Sequence, residues 1–149
     1  MKDLIQRLRS HGIAVTPQRL AILASLRSRQ DHPSAEKVYQ EVQLQLPAIS
    51  FNTVYKTLEI LCRKGLILKV NPLHETARYD GETGRHAHLV CRRCHTIADL
   101  HRQPEFPADM DKEDEKAAAE IQGFRVEYQS LTLWGVCPQC REWPDRMET

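Results

Sequence analysis

Residues 50–70, SFNTVYKTLEILCRKGLILKV, change their hydrophobic period within one short stretch. A capping serine, Ser50, is followed by apolar residues at the i, i+4 and i+7 positions of one helical face, namely Val54, Leu58 and Leu61. A glycine interrupts this pattern, and the LILKV run that follows has the composition of a strand. The stretch therefore predicts a helix followed directly by a β-strand.

Start and stop signals on both sides of this stretch predict three earlier helices and a return strand. The signals are a leading apolar helix closed by Gly12, the capping step Thr16-Pro17, a helix from Ser34 to Pro47, a turn at Asn71-Pro72 and a strand from Ala77 to Asp80. After the leading helix, three compact helices followed by a two-stranded hairpin are typical of a winged helix-turn-helix.

The two halves of the 149-residue chain carry opposite charge. Residues 1–70 hold 11 lysines and arginines against 5 acidic residues, a formal charge of +6, whereas residues 71–149 hold 10 against 15, a charge of −5. The basic half favours a polyanionic partner, although ordinary solvated helix faces remain the alternative. With no apolar run of about 20 residues and no signal-like stretch near Met1, we expect a soluble, cytoplasmic protein without membrane association.

In a winged helix-turn-helix, the last helix before the wing enters the major groove of DNA. Opposite its apolar stripe, this helix shows Asn52, Thr53, Tyr55 and Lys56, which suit base-edge and backbone contacts. Arg19, on the second helix, is placed to reach a phosphate. Each residue alone would be read as an exposed polar side chain, but their joint placement on the helix after the turn predicts a DNA-binding face.

Four of the five cysteines form two Cys-x-x-Cys pairs, Cys91/Cys94 and Cys137/Cys140. Two such pairs fill the four positions of a closed, structural zinc site. Disulfides in a secreted protein are the alternative, and the missing signal peptide argues against them. The fifth, Cys62, lies in a helical apolar pattern and is expected to be a small core residue.

Linked motifs along nearly the whole chain resemble those of the ferric uptake regulator family. The motifs are Thr16-Pro17-Gln18-Arg19, His32-Pro33-Ser34-Ala35, Asn52 to Leu58, Gly65-Leu66-Ile67, Arg78-Tyr79-Asp80, His86 to Cys94 and Gly135 to Cys140. The resemblance implies a homodimeric, metal-dependent repressor of operator DNA with an α+β fold. It divides the chain into a winged-helix DNA-binding domain with hinge, residues 1–82, and a small α/β metal-binding dimerisation domain, residues 83–149, with the four-cysteine zinc site.

The resemblance also implies a regulatory metal site. Its ligands correspond to His32, Asp80, His86, His88 and Asp99 in this chain. Three imidazoles and two carboxylates form a mixed nitrogen and oxygen site, which suits Fe²⁺, Mn²⁺ or Zn²⁺ better than a metal that prefers thiolates. Since His32 comes from the DNA-binding half, filling the site would fix the angle between the domains.

The nature of the signal rests on a finer resemblance. Both acidic ligand positions, Asp80 and Asp99, are aspartate, as in the peroxide-sensing branch of the family. In that branch bound Fe²⁺ reacts with hydrogen peroxide and a histidine ligand is oxidised, and the corresponding positions are His32 and His86. An iron-responsive regulator, or one that responds to zinc or manganese, is the alternative. Lys56 departs from both branches, so the operator preference does not follow.

The remaining periodicity in the second half fits a dimerisation domain. Thr96 to Leu100 is expected to be a strand, Asp111 to Ile121 a helix, and Phe124 to Leu133 a long strand.

Two other classes of function remain as alternatives. A zinc hydrolase or deaminase would need a general base near His86 and His88, but the residue between them is Ala87, so we expect a protein that is not an enzyme. A zinc-stabilised protein-interaction module without DNA binding is opposed by the basic, winged-helix first half.

Overall fold

The structure, a computed structural model, describes residues 1–27, 29–70, 76–84, 86–101, 120–125 and 131–142. It divides into two compact units, Met1–Gly84 and Arg85–Thr149. Among the described residues, helices dominate the first unit and strands the second, so the predicted α+β class is confirmed. Within the described ranges, every helix is too short or too polar to cross a membrane.

The first unit contains the predicted helices. They are α1 (Lys2–Ser10), α2 (Pro17–Leu26), α3 (Ala35–Gln45) and α4 (Phe51–Arg63). The side chains of Thr16, Ser34 and Ser50 each accept a hydrogen bond from a backbone N–H of the helix that they precede, at 3.1–3.3 Å. Gly12 and Gly65 follow α1 and α4 with φ angles of 68° and 74°, a backbone region that glycine adopts readily. The predicted caps and stops are therefore confirmed.

The core of the first unit joins all four helices. Val54, Leu58 and Leu61, the apolar face of α4, are fully buried in it. Cys62 packs against this core, as expected, and burial raises the pKa of its thiol to about 11. By the transfer free energies of apolar side chains, each fully buried leucine contributes about 2 kcal/mol to folding.

A two-stranded wing follows the helices. Strands β1 (Leu68–Val70) and β2 (Arg78–Asp80) pair antiparallel, with Leu68 opposite Asp80. Strand β1 begins at Leu68, later than predicted, because Leu66 and Ile67 are buried in the helical core instead of joining the strand, and β2 begins at Arg78, one residue later than predicted. The predicted turn at Asn71-Pro72 lies outside the described residues. Helices and wing together form the predicted winged helix-turn-helix.

In the described part of the second unit, three strands form the main sheet. The elements described are β3 (Ala87–Cys91), β4 (Ile97–Leu100), β5 (Glu120–Ile121), β6 (Phe124–Arg125), β7 (Leu131–Gly135) and the short helix α5 (Pro138–Glu142). In the order β4-β3-β7, the central strand β3 pairs antiparallel with β4 and parallel with β7. The sequence predicted β4, one residue longer, but neither β3 nor α5.

The helix and strand predicted for the chain after β4 agree only in part with the structure. Residues 111–119 of the predicted helix lie outside the described residues, but Glu120–Ile121 is a strand, so the predicted helix end is wrong. Gln122 and Gly123, with φ angles of 52° and 80°, turn this strand back onto β6, since such turns suit tight hairpins. Strands β6 and β7 occupy the two ends of the predicted strand Phe124 to Leu133, and residues 126–130 between them lie outside the described part.

Candidate functional site

Four cysteine sulfurs converge in the second unit. Cys91 ends β3 and Cys94 lies in the turn before β4, whereas Cys137 and Cys140 lie just before and within α5. Their sulfur atoms all lie within 4.8 Å of one another, and those of Cys94 and Cys137 are 3.6 Å apart. Zinc–sulfur bonds of about 2.3 Å in a tetrahedron place the sulfurs about 3.8 Å apart. The cluster therefore fits one closed zinc site, and all five cysteines, each within the described residues, are free of disulfides.

Backbone hydrogen bonds favour the thiolate form that metal ions bind. Burial opposes ionisation of Cys91, but backbone N–H groups, that of Cys137 first, outweigh it and lower the pKa of Cys91 to about 6. Hydrogen bonds with Thr96 lower the pKa of Cys94. Desolvation and the neighbouring sulfurs raise the pKa of Cys140 to about 12, because a thiolate at this position would be repelled by the other negatively charged sulfurs of the cluster. A bound dication removes that repulsion, so the cluster's protonation is linked to metal binding.

A second set of metal-binding side chains lies on one face of the β3–β4 hairpin. His88 lies on β3 opposite Asp99 of β4, and His86 immediately precedes β3 with its ring against that of His88. Nε2 of His86 lies 3.1 Å from Nε2 of His88 and 3.5 Å from Oδ1 of Asp99, which is 3.6 Å from Nε2 of His88. All three side chains are at most 4% exposed.

These distances fit a shared ion. Ligand atoms about 2.1 Å from one ion lie about 3.0–3.4 Å apart in octahedral and tetrahedral arrangements. A buried carboxylate among imidazoles also carries charge that a cation stabilises. The His86–His88–Asp99 cluster therefore has the donor chemistry and the spacing of a nitrogen- and oxygen-ligated metal centre.

The first unit brings the other two expected ligands together. His32 lies in the loop between α2 and α3, and Asp80 ends β2. Nε2 of His32 is 3.5 Å from Oδ2 of Asp80, and both side chains are 1% exposed. The other carboxylate oxygen of Asp80 accepts a hydrogen bond from the backbone N–H of Glu82 at 2.8 Å. The His32–Asp80 pair thus combines an imidazole and an oriented carboxylate within the first unit.

The residues expected to contact DNA lie on the exposed side of α4. Asn52, Thr53, Tyr55 and Lys56 are all exposed, opposite the buried face of the helix. The hydroxyl of Thr53 is 2.8 Å from that of Ser50 and so belongs to the helix cap. The ring of Tyr55 is supported by Phe51, with centroids 6.4 Å apart.

Arg19 is half-buried, whereas the four residues of α4 are exposed. It lies at the start of α2, and its guanidinium donates to the backbone carbonyl of Ala14 at 2.8 Å. This contact holds the side chain against the loop that precedes α2, and any phosphate contact would have to share or replace it.

Sequence reasoning missed the residues that orient these ligands. Thr96 supports Cys94, and Arg78 donates to the backbone carbonyl of His32 at 3.2 Å. The rings of His86 and His101 also approach, with centroids 5.7 Å apart. Such contacts depend on the pairing of distant segments, which local periodicity does not report, although Arg78 opens the Arg78-Tyr79-Asp80 motif.

Comparisons with known proteins agree with this architecture. The model of the Ferric uptake regulator family matches residues 10–133. The "Peroxide operon regulator" of Bacillus subtilis is 34% identical over 140 residues, which covers 94% of this chain and 92% of that protein. The peroxide stress regulator of Campylobacter jejuni is structurally similar at a TM-score of 0.65, with 31% identity, 91% of this chain and 98% of that one covered. A zinc-bound manganese uptake regulator gives a TM-score of 0.65 and 29% identity, covering 90% and 98%.

Proposed function

Because the chain belongs to the ferric uptake regulator family, we propose that it is a metal-dependent, DNA-binding transcriptional repressor that acts as a cytoplasmic homodimer and senses peroxide. One observation carries the proposal: the chain holds two clusters of side chains with metal-donor atoms, and the two clusters differ in chemistry. One set consists of four sulfurs, and the other of buried imidazoles and carboxylates. Two clusters of different chemistry allow one metal to stabilise the fold and another to act as the regulatory metal.

The four-cysteine cluster takes the structural role. Four thiolates satisfy a tetrahedral Zn²⁺ completely and leave no position for a reactant. The cluster joins two segments that are far apart in sequence, since Cys91 and Cys94 belong to the β3–β4 hairpin and Cys137 and Cys140 to the start of α5. The free energy of zinc binding therefore stabilises the second unit.

The imidazoles and carboxylates take the regulatory role. We propose that the His32–Asp80 pair and the His86–His88–Asp99 cluster bind one Fe²⁺ or Mn²⁺ together. The chain from Asp80 to His86 spans at most about 20 Å when extended, so the two groups are tethered closely. Five ligands of this kind match the preference of both metals for nitrogen and oxygen donors.

A shared ion would couple metal binding to DNA binding. Ligands drawn from both units restrict the orientation of one unit relative to the other, and two recognition helices of a dimer must match two half-sites on DNA. To move such an equilibrium from 1:99 to 99:1, the ion must prefer the DNA-competent orientation by about 5.5 kcal/mol. The proposed DNA contacts are the exposed α4 residues and Arg19.

Peroxide as the signal is supported by two observations. Relatives 34% and 32% identical over most of the chain are named as peroxide regulators, and both acidic ligands are aspartates. When bound, Fe²⁺ supplies one-electron chemistry with hydrogen peroxide that Mn²⁺ does not readily perform. His32 and His86 are the side chains expected to gain the oxygen atom.

The experiment uses the full-length, zinc-loaded protein. A duplex is first selected from a random DNA library by the Mn²⁺-loaded protein, and binding of this duplex is then measured by fluorescence anisotropy with Fe²⁺ or Mn²⁺, before and after a low dose of peroxide. The Fe²⁺ form should release the duplex after peroxide, and the peptide with His32 or His86 should gain about 16 Da, one oxygen atom. The Mn²⁺ form should keep its affinity.

Variants test the ligand assignment separately. His32→Ala and Asp80→Ala should retain zinc and the dimer but lose binding in response to Fe²⁺ or Mn²⁺. Release that tracks cysteine oxidation and zinc loss, with both histidines unmodified, would contradict peroxide sensing and favour an iron-responsive regulator.

A further inference from the structure

The backbone of His32 has an uncommon conformation. Its φ angle is 46°, in the left-handed region that non-glycine residues rarely adopt. The next residue is Pro33, whose ring further restricts the residue before it. Such a conformation persists only where the surrounding structure holds it, and the imidazole of His32 is buried beside Asp80.

One set of contacts holds this backbone from the wing. The guanidinium of Arg78 donates to the carbonyl of His32 at 3.2 Å, over a separation of 46 residues. The backbone N–H of Tyr79 donates to the carbonyl of Pro33 at 2.9 Å, and Ser34 forms a β-bridge with Arg78. The segment from His32 to Ser34 is therefore attached to β2, the strand that ends in Asp80.

A second arginine, Arg29, contacts the same loop at Asp31. Nε of Arg29 donates to Oδ1 of Asp31 at 2.6 Å, and its two terminal nitrogens bind the other oxygen of Asp31 and a carboxylate oxygen of Glu41. Glu41 lies on α3, and the side chain of Arg29 is 19% exposed. Two carboxylates around one guanidinium tie the residue before His32 to a rigid helix.

We propose that Arg29 and Arg78 are positioning residues that hold His32 in its metal-binding orientation before the metal arrives. They thereby set the metal concentration at which the protein responds. The inference rests on the proposed function, because it takes His32 as a ligand. When His32 is already held in its metal-bound geometry, the free energy of metal binding does not include the cost of ordering this side chain. Removing the contacts of either arginine should therefore weaken metal binding without removing a ligand.

The test compares four variants of the full-length, zinc-loaded protein. Arg78→Met removes the donor to His32, and Arg78→Lys restores a cation at the same place. Arg27→Met is the matched control, because it also removes one arginine from the first unit, but this arginine pairs with Asp3 at the surface at 2.9 Å. Such exposed pairs contribute little. Arg29→Met provides a second variant should Arg78→Met fold poorly.

Two quantities are measured. Titration with Mn²⁺ against a fluorescent chelator should show about tenfold weaker binding for Arg78→Met and Arg29→Met, the loss of a charged hydrogen bond, with part of it regained in Arg78→Lys. DNA affinity at saturating Mn²⁺ and zinc content should stay at the wild-type level. Without regulatory metal, the amide of Tyr79 should exchange hydrogen faster in Arg78→Met than in Arg27→Met, since the Pro33 contact depends on the same attachment.

The outcomes separate this inference from the proposed function. If wild type binds Mn²⁺ and both Met variants at positions 29 and 78 bind it equally well, the arginines do not position His32, and the proposed function stands. If wild type binds no Mn²⁺ outside the zinc site, the proposed function fails and this inference with it. A lower plateau of DNA binding at saturating Mn²⁺, with unchanged Mn²⁺ affinity, would also overturn the inference, since it indicates general damage.

Discussion

Replacing Gly81 with alanine tests how tightly the residue after Asp80 is packed. A Cβ at position 81 would lie 2.4 Å from the carbonyl oxygen of Leu26 and 2.8 Å from its carbonyl carbon. Both are backbone atoms at the end of α2, so they cannot rotate away as a side chain would. The φ angle of Gly81 lies outside the left-handed region, so the effect of an alanine at this position is purely steric.

The magnitude follows from the displacement required. Ordinary contact needs a separation of about 3.4 Å, so the turn must move by about 1 Å, and overpacking of this kind costs about 2 kcal/mol. For a unit of this size that lowers the melting temperature by roughly 8 to 16 °C. The backbone N–H of Glu82 donates to Asp80 in the same turn, so the displaced turn should also raise the Mn²⁺ concentration needed for DNA binding.

The assay is thermal unfolding followed by the helical circular dichroism signal, together with the Mn²⁺ titration of DNA binding. Gly84→Ala is the control, because its Cβ would come no closer than 3.5 Å to the flexible side chain of Glu82. The control should behave as wild type. If Gly81→Ala melts within about 2 °C of wild type and responds to the same Mn²⁺ concentration, the close approach to α2 is not a constraint.

Three further predictions concern the zinc site, the DNA face and the core. Cys94→Ser should contain no zinc by metal analysis, melt at a lower temperature and elute as a monomer from gel filtration, whereas Cys62→Ser should keep its zinc. A stable, zinc-free dimer of Cys94→Ser would contradict the assignment of the zinc site. Lys56→Ala and Tyr55→Ala should each weaken DNA binding with unchanged metal content. For Lys56→Ala, the slope of the logarithm of the binding constant against the logarithm of salt concentration should also become shallower by about one. Wild-type affinity in both variants would show that α4 does not contact DNA. Cys62, with its pKa raised to about 11 by burial, should react slowly with iodoacetamide at pH 8 and faster as pH rises, and rapid labelling at pH 7 contradicts its burial.

The first unit was predictable because its signals are local. Thr16, Ser34 and Ser50 cap the helices that they precede, and the apolar spacing of α4 fixes which of its sides is buried. Such features depend on neighbours within a few residues, which the sequence displays directly. The strand ends were less predictable, since Leu66 and Ile67 suit a strand and a core equally well.

The second unit was less predictable because its pairings are distant. Strand β3 pairs parallel with β7, which lies more than forty residues later in the chain. Its pattern of burial, four of five residues buried, lacks the alternation by which a strand is recognised. Glu120–Ile121 is a strand where the sequence predicted the end of a helix, because the turn at Gln122-Gly123 joins this strand to β6 in a hairpin.

The two candidate metal-binding clusters of the second unit share one hairpin. Cys91 closes β3, its backbone N–H donates to the carbonyl of Thr96 at 3.0 Å, and the turn between these residues carries Cys94. This turn sets the register of the β3–β4 hairpin, in which His88 stands opposite Asp99. A slip of one residue would turn Asp99 to the other face of the sheet, away from both histidines. The turn that carries Cys94 therefore sets the hairpin register on which the His86–His88–Asp99 cluster depends, so the two clusters share one turn although the cysteines contribute no ligand to the second cluster.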